Sequence, residues 1–115
     1  MPHLFTPEEA NRKIPEVRQL VSEIVEFKRK LGNASLNEIE RKSVMDRITI
    51  LASKLAEQGI ELKDLDIGLI DFPAKRFDET VYLCWKLGES EVLYWHGLHD
   101  GYRGRKLLKP QSATV

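Results

Sequence analysis

Between Gly68 and Arg105 the chain sets Asp71, Cys84, Glu89, His96, His99 and Arg105 among Trp85, Trp95 and three tyrosines. Carboxylate, thiolate and imidazole are the donors that hold zinc or iron. Asp71, Cys84 and His96, with His99 as a further ligand, therefore form a candidate set for a divalent metal. The spacing supports it weakly, because only His96-Gly97-Leu98-His99 places two ligand types as close as short metal motifs do. The same residues allow acid–base chemistry. Asp71 stands in an otherwise apolar segment where a carboxylate needs a partner, and His96 or Arg105 is available to it. A small metal-dependent or acid–base enzyme would then use Asp71, Cys84, Glu89 and His96. The plainer alternatives are that Cys84 packs as a small buried apolar residue, His96 bonds locally and Asp71 joins a structural ion pair. No nucleophile elbow, phosphate loop or HExxH motif occurs, so no substrate is specified.

Whether Cys84 and His96 can meet is a matter of strand parity. Thr80–Leu87 and Val92–His96 read as strands by their β-branched and aromatic content, joined by Gly88-Glu89-Ser90-Glu91 as a hairpin loop. With that loop, Leu87 faces Val92, Cys84 faces Trp95 and Leu83 faces His96. The period of two then puts Cys84 and His96 on opposite sides of the sheet, unable to share a metal. A register different by one residue would bring them opposite each other.

Binding is a third possibility. Tyr82, Trp85, Tyr94, Trp95 and Tyr102 lie near Arg103, Arg105 and Lys106, and aromatics beside cations on a sheet can stack single-stranded nucleic acid. Glu89, Glu91 and Asp100 spoil such a funnel, and 18 basic against 18 acidic residues leave no net field. Nucleic acid is therefore disfavoured. A protein or small-molecule partner on the face around Asp71, Trp95, His96 and Arg105 is the better expectation. Lys28-Arg29-Lys30 reads as cations at a helix C-terminus.

The scaffold for these residues is an α+β arrangement. Thr6-Pro7-Glu8-Glu9 is a capping signature, so a helix starts at Pro7, with a kink or short break near Lys13-Ile14 caused by Pro15. Val17, Leu20, Val21, Ile24, Val25, Phe27 and Leu31 continue the helical spacing to Gly32-Asn33. Ser35-Leu36-Asn37-Glu38 repeats the cap, and Val44, Ile48, Leu51 and Leu55, with Met45 and Ala52, stripe a second helix ending at Gly59-Ile60. Leu69–Phe72 is a third strand, stopped by Pro73. The expected fold is thus a kinked helical hairpin over 6–59 on a three-stranded antiparallel sheet with Gly-rich loops over 60–105. Lys106–Val115 reads as a partly ordered tail.

At 115 residues this is one domain, 1–115. Cys84 is the sole cysteine, fitting a reducing compartment, and neither an apolar leader region nor a bilayer-length apolar run occurs. A cytoplasmic protein without membrane contact is expected. A helix of about 20 residues is roughly 30 Å long, whereas three six-residue strands cover only about 20 by 10–15 Å. The stripe Leu20-Ile24-Phe27-Leu31 then calls for a second copy, and a coiled-coil-like homodimer follows.

FTPEEANRKIPEV, GIELKDLDIGLIDFPA and VYLCWKLGESEVLYWHGLHDGYRGR together resemble an uncharacterised prokaryotic family, domain of unknown function 2203, over Leu4 to Leu108. The resemblance implies a helical hairpin plus sheet and a shared set of Gly68, Asp71, Phe72, Pro73, Cys84, Trp85, Gly88, Glu89, Trp95, His96, Gly101, Gly104 and Arg105. It supplies no reaction, ligand or partner. Phe77-Asp78-Glu79 departs from the glycine-containing turn usual there, and Leu107 stands where proline is common. The function expected on these grounds is a non-enzymatic interaction or assembly module, with the small enzyme as its rival.

Overall fold

A computed structural model describes residues 3–108. In chain order they form α1 (Pro7–Lys30), α2 (Glu38–Ala56), β1 (Glu61–Asp64), β2 (Leu69–Arg76), β3 (Glu79–Lys86), β4 (Tyr94–Gly97), a 3-10 turn (Tyr102–Gly104) and β5 (Lys106–Leu107). The strands make an antiparallel meander in the order β1-β2-β3-β4-β5. The architecture is α+β as expected, with five strands in place of three. The two additions are the four residues of β1 and the two of β5. Among the described residues no helix is long and apolar enough to cross a membrane.

Local chemistry accounts for the helix ends. The Thr6 hydroxyl accepts from the Glu9 N–H at 3.0 Å while the Glu9 carboxylate accepts from the Thr6 N–H at 2.9 Å. Asn37 caps α2 reciprocally with Glu40, so the cap falls two residues beyond the expected Ser35. Arg41 explains the longer connection: its guanidinium donates to the Leu31 and Asn33 carbonyls at 2.9 and 3.1 Å, satisfying groups left over at the end of α1. Gly59, at φ 81°, ends α2 as read from the sequence, and the Ile60 N–H reaches the Leu55 carbonyl at 3.1 Å.

The break expected near Pro15 does not occur; α1 runs unbroken from Pro7 to Lys30. Ala10, Ile14, Val17 and Val21 are all buried in one core on both sides of the proline, so packing keeps the helix continuous through it. Pro73 likewise fails to stop β2. Its missing N–H has no strand to serve, because β1 pairs only as far as Asp71, and the Pro73 carbonyl instead accepts from the Phe5 N–H at 2.7 Å.

Alternation along the strands sorts the sheet into two faces. Ile70, Phe72 and Ala74 of β2 with Val81, Leu83 and Trp85 of β3 join the helix residues in the main core. Asp71 of β2, Cys84 of β3 and His96 of β4 are buried as well, yet they point away from that core. The core shelters α1. Leu20 and Ile24 are 8% and 0% exposed, and Phe27 and Leu31 pack partly against the same cluster. The stripe therefore needs no outside cover: β2 runs eight residues where four were expected, and α2 packs on the same core. Exposed apolar side chains sit on α2 instead, with Ile39, Met45 and Ile50 at 81%, 56% and 48%.

β2 and β3 turn through Phe77 and Asp78, at φ 52° and 61°, which is the two-residue type I′ geometry that favours Asn-Gly. Phe77 is 81% exposed and sacrifices little burial if replaced. Phe77→Asn with Asp78→Gly is expected to stabilise the fold by about 0.5–1 kcal/mol, the left-handed strain relieved less the added freedom of the unfolded chain. A urea midpoint that falls would disprove the strain.

Candidate functional site

The register of β3 against β4 places the site. Cys84 faces Tyr94, Leu83 faces Trp95 and Tyr82 faces His96, one residue away from the pairing that a four-residue loop implies. The loop is longer, from Leu87 to Leu93, because tertiary bonds pin it. The Val92 N–H donates to Asn11 Oδ1 of α1 at 2.6 Å, and the Leu93 carbonyl accepts from the Leu108 N–H at 2.8 Å. Parity then puts Tyr82, Cys84, Tyr94 and His96 on one face, and pairing of Asp71 with Cys84 adds Asp71 to it. Cys84 and His96 are diagonal neighbours on that face and do not sit directly opposite each other.

One carboxylate oxygen of Asp71, Cys84 Sγ and one ring nitrogen of His96 lie within 4.8 Å of one another. The three residues are 2%, 0% and 3% exposed. His96 Nδ1 is 2.8 Å from the Gly97 carbonyl. A carbonyl only accepts, so Nδ1 carries hydrogen and Nε2 is left to face Asp71 Oδ1 at 3.0 Å, with one proton between them. Burial pushes the Asp71 carboxyl up, against the pull of His96 beside it and, more weakly, of Lys63. Burial, and then the charge of Asp71, push the Cys84 thiol up to about 11, so it is protonated at neutral pH.

Arg105 and Glu89 close over this trio. Arg105 Nη1 donates to Glu89 Oε1 at 3.2 Å and approaches Cys84 Sγ at 3.7 Å, while Nη2 bonds Glu89 Oε2 in a forked pair. The guanidinium centre lies 3.9 Å from the Tyr94 ring centroid and 4.6 Å from that of Tyr102. Glu89 is held from below, accepting from the Lys86 N–H at 3.0 Å, and its own carbonyl accepts from the Trp85 indole at 3.0 Å. Asp100 turns the chain back so that Arg105 reaches the site. It accepts from the Gly97 N–H at 3.1 Å, and a Cβ at Gly97 or Gly104 would lie within 2.8 or 2.9 Å of its side chain.

Other expected members fall elsewhere. Trp85 is fully buried in the helix-side core, and Trp95 shares that side, under Arg76 and Lys106 at 4.8 and 5.1 Å. His99 is exposed in a turn and outside the cluster. A neighbouring trio was not singled out from the sequence. The Tyr82 hydroxyl donates to Glu61 Oε1 at 2.9 Å, Glu61 pairs with Lys63 at 2.9 Å, and Lys63 Nζ lies 4.6 Å from the Tyr82 ring centroid. Alternation of Ile60 and Leu62 with charged residues was the signal for β1, and hence for these groups. The Tyr82 ring also lies 5.5 Å from that of His96, so the two clusters adjoin.

No curated protein and no solved structure matches the chain. A family model does, over residues 3–108, nearly the whole of the sequence and all of the site described above. The chain belongs to the family described as Uncharacterized conserved protein (DUF2203).

Proposed function

We propose that this chain is a non-enzymatic binding module that works as a homodimer in a reducing compartment such as the cytoplasm. The observation that carries this reading is the distribution of exposure. Asp71, Cys84 and His96 are sealed at 3% exposure or less, with Arg105 and Glu89 packed against Cys84. What reaches solvent on that face is suited to recognition: Tyr102 beside the Arg105–Glu89 pair, and Lys63 on Tyr82. A partner protein or small molecule carrying planar or anionic groups fits such a surface.

Assembly falls to the helices, through α2 and not α1. Ile39 and Ile50, both exposed, are eleven positions apart, which is about 20° around the helix, so they share one outward face. An antiparallel second copy seats Ile39 of each protomer on Ile50 of the other, the self-complementary pattern of a twofold interface. Light scattering is expected to give twice 13.3 kDa for the wild type. Ile50→Glu enters such a seam twice, and at about 1.5–3 kcal/mol per site it should raise the dimer Kd by ~10²–10⁴-fold. A wild-type chain that stays at 13.3 kDa at every micromolar concentration tested would remove the dimer from this reading.

A further inference from the structure

We propose that Asp71, Cys84 and His96 form a mononuclear zinc site built into the outer face of the sheet. This goes beyond the binding-module reading and does not rest on it. Each ligand comes from a different strand, β2, β3 and β4, so the meander itself sets their separation. Bonds of about 2.0–2.3 Å at tetrahedral angles require ligand atoms about 3.3–3.6 Å apart. The three atoms already fall within 4.8 Å of one another, and His96 Nε2 to Asp71 Oδ1 is 3.0 Å, so an ion enters with side-chain adjustment and no strand movement.

The surroundings match a metal centre in two further respects. His96 Nδ1–H is fixed on the Gly97 carbonyl, the outer hydrogen bond that orients a ligating imidazole and turns Nε2 toward the metal position, where it now shares a proton with Asp71. Charge also balances. A divalent ion replaces the Cys84 thiol proton and the proton between Asp71 and His96; thiolate and carboxylate then cancel its charge, while Arg105 is cancelled by Glu89. Thiolate, imidazole and carboxylate together favour Zn²⁺ over the all-oxygen ions Mg²⁺ and Ca²⁺. Three protein ligands leave one tetrahedral position to a water. A buried Asp–His pair is seldom the most stable filling for such a space, since apolar residues of like volume do as well; a bound cation is a use that apolar residues cannot supply.

The test is metal content of the purified protein together with Co²⁺ titration, by direct addition and by refolding with Co²⁺ present because the site is buried. One equivalent of zinc is expected, replaceable by Co²⁺ with the near-ultraviolet thiolate-to-cobalt band and the strong visible bands of tetrahedral geometry. Cys84→Ser should abolish the thiolate band, and Asp71→Asn and His96→Ala should each weaken Co²⁺ binding more than ~10-fold. His99→Ala, on an exposed histidine, should change nothing. If Cys84→Ser does not fold, wild-type protein with its thiol alkylated while unfolded and then refolded replaces it, and absence of the band there supports the site. Absence of the cobalt–thiolate band after both loading routes overturns the proposal, and so does a band that survives in Cys84→Ser. Light scattering on the same samples separates the two readings, because failure of the zinc site leaves the dimer intact and failure of the dimer leaves the spectrum intact.

Discussion

Gly68→Ala is expected to destabilise the fold by about 2–5 kcal/mol, combining a left-handed backbone penalty with overpacking. Gly68 sits at φ 69° just before β2, with side chains of α1 packed against it. A Cβ there would lie 2.7 Å from Val21 Cγ1, 3.0 Å from Leu87 Cβ and 3.1 Å from Val25 Cγ2. Val21 and Val25 are 0% and 8% exposed, so neither can move aside without disturbing the core. Leu87 is tied as well, its N–H donating to the Gly68 carbonyl at 3.0 Å. Gly88→Ala is the control. Gly88 also has positive φ, 105°, but nothing lies within 4 Å of its Cβ position. Its loss should be confined to the backbone part, about 1–2 kcal/mol. Urea unfolding of the two variants gives the difference, and equal losses would mean that α1 does not approach the sheet this closely.

Breaking the Asp71–His96 pair from one side should be costly, whereas removing both partners should not. In metal-free protein, His96→Leu leaves the Asp71 carboxylate buried with only Cys84 for company, an expected loss of about 3–5 kcal/mol. Asp71→Leu leaves the His96 Nε2 without its partner, about 1–3 kcal/mol for an unmet polar group. The double replacement fills the same space with apolar groups and is expected within ~1 kcal/mol of the wild type, or above it. The sign of the coupling carries the result: single losses that simply add in the double variant would mean that packing, not the pair, sets the energy. The same double variant should bind no Co²⁺, so stability and metal binding part company in one protein.

Much of the helical half was legible in the sequence because its signals are local. The Thr6–Glu9 box, the stripe from Val17 to Leu31 and the Gly59-Ile60 stop each span a few residues and act within their own turn. The interruption at Pro15 and the strand stop at Pro73 were misread for the same reason. Proline's local penalty is real, but at Pro15 the core on either side outweighs it, and at Pro73 the lost N–H faced no neighbour. Strands β1 and β5, four and two residues long, carry too little pattern to stand out and exist only because β2 and β4 offer them edges. The need for a partner along α1 was a deduction from the size of the sheet, and its ground goes with the burial of Leu20 and Ile24 inside one chain.

The candidate site divides along the same line. Residue types alone nominated Asp71, Cys84, Glu89, His96 and Arg105, and the structure brings all five together, while Trp85, Trp95 and His99 drop away. Composition determined which chemistry is available: a thiol, an imidazole and a carboxylate among aromatics. Only the tertiary structure decided that they meet. Parity of β3 against β4 turns on one residue of register, and the loop between them is tied to Asn11, eighty-one positions from Val92, and to Leu108 through hydrogen bonds no local pattern encodes.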